Sequence, residues 1–405
     1  MKVLLVQHTD VLGGSLQGAL QLTKTLNKCL DEIDLEVYIN NIVGNAIPFA
    51  KENKIRLAAI ESGVPTFDYF NGCNSSIRIF IKYLFTFYSI IKWKKFLQRE
   101  KYDFVILNTS VLWPLCHVAQ NAGAKCICYI RETVKGDNNS IINRIIRSKL
   151  SKCDALFYLS KYDSQTWDID NRQIYIVPES VDDLTHKNGI TRSSIRKKLG
   201  LKEDDFYILY IGGMQRLKGP DIIIQALNTI SESHPDIKNL KLIFLGYSDN
   251  TDNKFIDRIK YYKQIKYIGL IKKMIENSIS KNKIIKINYQ TNIYDWMIAS
   301  DLLVFPATKV HQARPLYEAG MVHRTAILPD FENYYENLIN NYNGFVFIPG
   351  DYRDLSKKIL YLYNHPQVLL DLSENNFSMT MKKHTQENLC ILIKNVLEEF
   401  AISNS

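Results

Sequence analysis

At 405 residues the chain is longer than a single growing hydrophobic core accommodates, so two domains of roughly 150 to 200 residues are expected. Its 46% hydrophobic and 23% charged residues exclude collagen-like and disordered classes and describe an ordinary soluble protein. The formal net charge of +9 suits nucleic acid, anionic lipid or phosphorylated ligands alike, so the placement of that charge must decide among them. The seven cysteines, at 29, 73, 116, 126, 128, 153 and 390, are odd in number and scattered. Cys126 and Cys128 sit in an apolar run at a spacing unsuited to a zinc knuckle, and all seven read as reduced core thiols of a cytoplasmic protein. Val3 to Val6 is too short for the core of a signal peptide, so secretion is not expected.

Buried parallel strands read as short continuous apolar runs. In chain order such runs fall at Lys2 to Gln7, Leu35 to Ile39, Asp103 to Asn108, Lys125 to Ile130, Ala155 to Leu159 and Ile174 to Val177, with helical stretches between them. A polar stretch from Glu179 to Asp205 follows. The rhythm then restarts at Phe206 to Ile211, Leu240 to Leu245, Ile284 to Ile287, Leu302 to Phe305, Thr325 to Leu328 and Gly344 to Ile348. Alternation of this kind predicts an α/β chain with two tandem Rossmann-like domains, joined near residues 180 to 200. In the tail, Leu389, Leu392, Ile393, Val396, Leu397 and Phe400 are spaced to bury one helix face.

Ligands of open parallel sheets bind beyond the carboxyl ends of the strands, which directs attention to the loops there. After the first strand, Gly13 and Gly14 let backbone approach a phosphate, and Ser15 is placed to cap the next helix. The spacing is not GxGxxG, and a Gly-Gly turn without a ligand explains it equally well. After Tyr207 to Ile211 comes Gly212-Gly213-Met214-Gln215-Arg216-Leu217-Lys218-Gly219-Pro220, whose glycines and two cations suit a diphosphate, although a loop lysine is often merely solvated. After Leu302 to Phe305, His311 and Arg314 precede a helix that opens near Pro315. Glu318, one turn in, is placed to accept from vicinal hydroxyls or simply to complement the helix dipole.

Taken together, Gly-Gly-x4-Lys218-Gly219 after a strand, Asp301 to Pro306 leading to Arg314-x3-Glu318-Ala319, and Glu336-x7-Gly344-Phe-Val resemble the nucleotide-sugar half of family 4 glycosyltransferases. The Gly13-Gly14 loop, Val177 to Asp182 and the C-terminal tail also fall where that family has them. The resemblance implies the GT-B fold: two Rossmann-like domains facing across a cleft, with a C-terminal helix packing back on the first. It divides the chain into an acceptor-side domain at 1–182, a nucleotide-sugar domain at 183–380 and a returning helix at 381–405. Residue by residue, it implies that Lys218 holds the donor diphosphate and that Glu318 binds the nucleotide ribose, with Glu336 in a loop near the donor. It further implies a retaining transfer from a nucleotide diphosphate sugar to a glycan; no cofactor or divalent metal is demanded, because helix N-termini and Lys or Arg can neutralise the diphosphate and no Asp-x-Asp lies in a suitable loop.

Two positions depart from the family pattern. Gly213 stands where an Arg is usual, and Val310 where the first Glu of a Glu-x7-Glu pair belongs. Arg216 or Arg314 is the expected substitute for the phosphate charge, and His311 or backbone amides for the sugar contacts. Where the family often places a His near the reacting sugar, this chain has Arg131 and Glu132. Arg131 would stabilise leaving-group charge and Glu132 orient a hydroxyl, or the two form a structural ion pair.

The basic charge gathers between Arg78 and Arg99, where Arg78, Lys82, Lys92, Lys95 and Arg99 recur at helical spacing among aromatic and aliphatic residues. Interleaving of that kind disfavours nucleic acid. It suits either a domain-packing helix or one lying on the anionic inner face of a membrane with Trp93 and the tyrosines as interfacial anchors, which would fit a lipid-linked glycan acceptor. The expected location is cytoplasmic, peripheral at that face. Competing readings are a nucleotide-sugar epimerase, which would turn over donor without acceptor, and a degenerate transferase acting as a partner subunit.

Overall fold

The structure, a computed structural model, describes residues 1–10, 14–29, 33–40, 46–60, 62–66, 76–133, 141–171, 173–182, 191–247, 262–290 and 292–402. Two compact units divide the chain: Met1–Val181 with Lys383–Ser405, and Asp182–Lys382.

The first unit is built on seven parallel strands, β1 (Lys2–Gln7), β2 (Asp34–Ile39), β3 (Arg56–Leu57), β4 (Phe104–Leu107), β5 (Lys125–Ile130), β6 (Ala155–Tyr158) and β7 (Ile174–Ile176), in the order β3-β2-β1-β4-β5-β6-β7. Both sheet faces are covered, which is why β1 is an unbroken apolar run: Val3 and Leu5 enter one core, Leu4 and Val6 the other. The short edge strand β3 escapes a sequence reading because Arg56 is exposed and Leu57 only half-buried.

On one face the C-terminal helix Gln386–Ile402 inserts Leu389, Ile393, Val396, Leu397 and Phe400 among Leu16, Ala19, Leu22 and Leu26 of the helix Gly14–Cys29. The tail thus completes the core of the first unit through five of the six residues its apolar spacing points to, whereas Leu392 is exposed. On the other face lies the helix Ser76–Glu100, whose side chains are described from residue 87 onward. Here an expectation is corrected. Trp93 is fully buried, donates its indole N–H to the Gly63 carbonyl at 3.1 Å and meets Tyr38 edge-on at 4.8 Å. It is a core residue and not an interfacial anchor.

The second unit holds six parallel strands, β8 (Phe206–Ile211), β9 (Leu240–Leu245), β10 (Ile284–Ile287), β11 (Leu302–Val304), β12 (Thr325–Pro329) and β13 (Gly344–Phe347), in the order β10-β9-β8-β11-β12-β13. The polar stretch before β8 contains a helix, Arg192–Leu199, entered through a Thr191–Ser194 capping box and ended by Gly200 in the left-handed conformation. No apolar stripe announces this helix. It is fixed instead by the fully buried Arg196, whose guanidinium donates to the carbonyls of Ala299, Glu203 and Asp205 and pairs with Asp301 at 2.8 Å. Among the described residues, no helix is long and apolar enough to cross a membrane.

Candidate functional site

In the second unit the strand order reverses between β8 and β11, and the chain after those two strands carries Arg216, Lys218, His311, Arg314 and Glu318. After β8 the chain runs through Gly212 and Gly213 into a 3₁₀ turn at Arg216–Lys218 and then the helix Pro220–Ser233. Gly219 adopts φ +63° and lies so close to the Pro306 carbonyl that a Cβ there would collide with it. Thr308 laces the loops further, donating its amide to the Leu217 carbonyl at 2.9 Å and its hydroxyl to the Arg216 carbonyl at 3.2 Å. Gly213, where the family pattern has Arg, adopts φ +57°, and a Cβ there would stand 2.9 Å from the Gly246 carbonyl oxygen. A side chain is therefore strained at this position, a physical reason for the departure.

The Lys218 ammonium lies 4.8 Å over the ring of Phe305 and makes no ion pair among the described residues. Burial pulls its pKa down to about 8, with Glu318 opposing the shift. The His311 ring stands 6.0 Å from that of Phe305; burial, then the charge of Lys218, lowers its pKa to about 3, so it is neutral at pH 7. Its carbonyl accepts from Asn333 Nδ2 at 2.8 Å.

From the helix Arg314–Met321, Arg314 Nε donates to Glu318 Oε1 at 2.8 Å one turn along, and both side chains are largely buried. Burial raises the Glu318 pKa against the pull of Arg314. Burial also works against the Arg314 charge, but Glu318 and then Tyr294 outweigh it and the net shift is upward. Gly320 on the same helix meets the Asn376 carbonyl, and Asn376 Nδ2 donates to the carbonyls of Leu316 at 3.1 Å and Arg324 at 2.8 Å, which anchors the helix. Arg216 is exposed, and Glu336, half-buried, follows a 3₁₀ turn at Glu332–Tyr334 in the loop after β12. The structure thus brings Lys218, His311, Arg314 and Glu318 into one electrostatic neighbourhood.

In the first unit the reversal lies between β1 and β4. Gly13 lies outside the described residues and Gly14 opens the helix Gly14–Cys29. Ser15 therefore falls inside the helix rather than at its cap, and its hydroxyl accepts from Gln7 Nε2 at 3.2 Å. At the end of β5, Arg131 pairs with Glu179 and donates to Asn108 Oδ1 at 3.3 Å, with its side chain 7% exposed. A structural ion pair is one of the two roles expected of Arg131, and its partner here is Glu179 rather than Glu132.

Glu132 meets Arg131 through the backbone, accepting from the Arg131 amide at 3.2 Å. Its carboxylate accepts from the Thr109 hydroxyl and from the amide and hydroxyl of Ser110, at 3.2 and 2.8 Å. Asn108 in turn donates to Gln7 at 2.8 Å. A Cβ at Gly18 would strike the Arg131 guanidinium, so this glycine admits the pair against its helix. The network of Gln7, Asn108, Thr109, Ser110 and Glu179 was not singled out in the sequence; its only signal is that polar residues end the apolar runs.

Residues 191–379 match the family model described as Glycosyl transferases group 1. Among curated relatives, spore coat protein SA of Bacillus subtilis is 32% identical over 78 residues, 18% of this chain and 20% of that protein. The uncharacterized glycosyltransferase MJ1178 of Methanocaldococcus jannaschii is 23% identical over 228 residues, 56% of this chain and 58% of that protein. The chain thus covers about a fifth to three fifths of the length of these relatives. Among solved structures, Anabaena Alr3699/HepE in complex with UDP and glucose superposes with a TM-score of 0.76 at 15% identity, covering 98% of this chain and 99% of that one. The sucrose-phosphate synthase of Thermosynechococcus elongatus does so with a TM-score of 0.74 at 14% identity, covering 99% of each. Residues 191–379 thus resemble group 1 glycosyl transferases, and the two parallel-sheet, Rossmann-like units of the chain have the fold of GT-B glycosyltransferases.

Proposed function

We propose that this chain is a retaining glycosyltransferase of family 4 that moves a hexose-type sugar from a nucleotide diphosphate sugar to a surface-glycan acceptor. The observation that carries the reading is the Lys218 ammonium, without an ion pair among the described residues and depressed in pKa, at the strand reversal beside Arg314 and Glu318. Lys218 meets the donor diphosphate as a point charge, and Arg314 holds Glu318 so that its carboxylate accepts from the ribose hydroxyls. Neutral His311 offers a hydrogen bond to the sugar without adding charge beside Lys218. As the glycosidic bond breaks, negative charge grows on the departing diphosphate, and Lys218 stabilises that charge more than it does the ground state. Arg216 and Glu336 contribute at the edges of the donor. In the first unit, Arg131 positions rather than reacts, and Glu132 orients the acceptor hydroxyl through the Thr109 and Ser110 loop.

The UDP in the Anabaena structure makes uracil the first base to try. A lipid-linked acceptor and a cytoplasmic location at the inner membrane face fit the helix Ser76–Glu100, which leaves Phe87 and Tyr88 exposed beside Lys92, Lys94 and Lys95. Thermal-shift titration with UDP-, GDP-, ADP- and dTDP-sugars tests the donor site. One nucleotide class should stabilise the wild type, and Lys218→Ala and Glu318→Ala should each lose that stabilisation. A folded protein stabilised by none of the four would overturn the reading in favour of a partner subunit.

A further inference from the structure

The first unit contains a second cluster with its own chemistry. Cys116 begins the helix Cys116–Asn121, Cys126 lies in β5, and Cys153 lies in the turn before β6. Their sulfur atoms all stand within 4.8 Å of one another, Cys153 Sγ lies 2.9 Å from Cys116 Sγ, and all three residues are buried. Cys126 and Cys128 share β5 and the same core, yet Cys128 turns away and donates to the Thr109 carbonyl at 3.7 Å.

The three segments bearing these thiols are held in place by one carboxylate. Asp154 accepts from the Cys126 amide at 2.9 Å and from Gln120 Nε2 at 3.0 Å, and it pairs with Lys125 at 3.3 Å. Asn171 Nδ2 fixes the Cys153 carbonyl at 2.8 Å. Outer contacts of this type orient ligands in metal sites.

We propose that Cys116, Cys126 and Cys153 form a three-thiolate site for a thiophilic d¹⁰ metal ion of the Zn(II) or Cd(II) kind. Thiolates bound at about 2.3 Å to one ion stand roughly 3.8 to 4 Å apart, which the three sulfurs reach by sub-ångström to ångström shifts. On binding, three S–H bonds give their protons to solvent as three metal–sulfur bonds form, and a fourth position is left to water. The alternative is three apolar thiols filling a core, which predicts no response to metal.

The test is a Cd(II) titration of the reduced full-length protein, read by the ultraviolet sulfur-to-metal charge-transfer band and by melting temperature. The expected result is a band saturating at one equivalent and a melting temperature raised by on the order of 5 °C in metal excess. Cys116→Ser and Cys126→Ser should abolish the band, and Cys128→Ala should keep it. Should the serine variants fail to fold, the wild-type titration and mass-spectrometric mapping of metal-protected thiols still decide. No band, protection at other cysteines, or a Cys116–Cys153 disulfide in the protein as purified would each overturn the proposal.

Discussion

Lys218 is the residue on which the proposed chemistry turns, and its charge state sets two measurable behaviours. Its pKa in the fold, about 8, lies below the ordinary lysine value, so the unfolded chain holds the proton more tightly. Stability from this group therefore rises with pH through the window from about 8 to the ordinary value, and below it the buried ammonium costs about 3 kcal/mol at most. Lys218→Met should accordingly raise the melting temperature of the ligand-free protein at pH 7 while weakening donor binding roughly tenfold to a hundredfold, as calorimetry would measure. An anionic diphosphate favours the charged form. Binding should thus take up protons near pH 8, and affinity should fall as pH rises above it, a linkage visible by titrating in buffers of different ionisation enthalpy. Gly213 makes the opposite point about what a residue can be. Gly213→Arg, although it restores the family pattern, forces a side chain onto φ +57° against Gly246, and should cost about 1–2 kcal/mol in denaturant unfolding.

The helix Arg314–Met321 works as a unit because it is held from behind. Asn376 and Thr380 crowd Gly320 while Asn376 binds the Leu316 carbonyl. Gly320→Ala should therefore displace the turn that presents Arg314 and Glu318, costing about 1–3 kcal/mol of stability and lowering donor affinity without touching any proposed donor contact. The helix Ser76–Glu100 divides its apolar residues between two tasks: Trp93, Phe96 and Leu97 enter the core, whereas Phe87 and Tyr88 face outward at 67% and 62% exposure. Replacing Phe87 and Tyr88 with glutamate should reduce sedimentation with anionic vesicles and leave the melting temperature nearly unchanged. The same substitutions at core positions would unfold the unit. Helical spacing alone does not separate these tasks, since it reports which residues share a side and not what covers it.

At the scale of the whole molecule, each unit has its own buried core, and the first borrows part of its core from the far end of the chain. Deleting residues 386–402 removes Leu389, Ile393, Val396, Leu397 and Phe400, each contributing roughly 1.5–3 kcal/mol of burial. The loss exceeds what a marginally stable domain tolerates. Scanning calorimetry of the truncated chain should show the transition of the second unit alone, with the first already unfolded. The sequence by itself determined all but the short edge strand β3, because a strand buried on both faces must be apolar throughout, and the twelve runs read from it lie on β1, β2 and β4 to β13. It also located the loops after β8 and β11, since glycines and cations at strand ends are local signals. Only the tertiary structure decided what depends on distant partners: the pairing of Arg131 with Glu179, the helix built around Arg196, the burial of Trp93, and the meeting of Cys116, Cys126 and Cys153. Those arrangements come from contacts between residues far apart in the chain, for which no periodicity or short spacing leaves a mark.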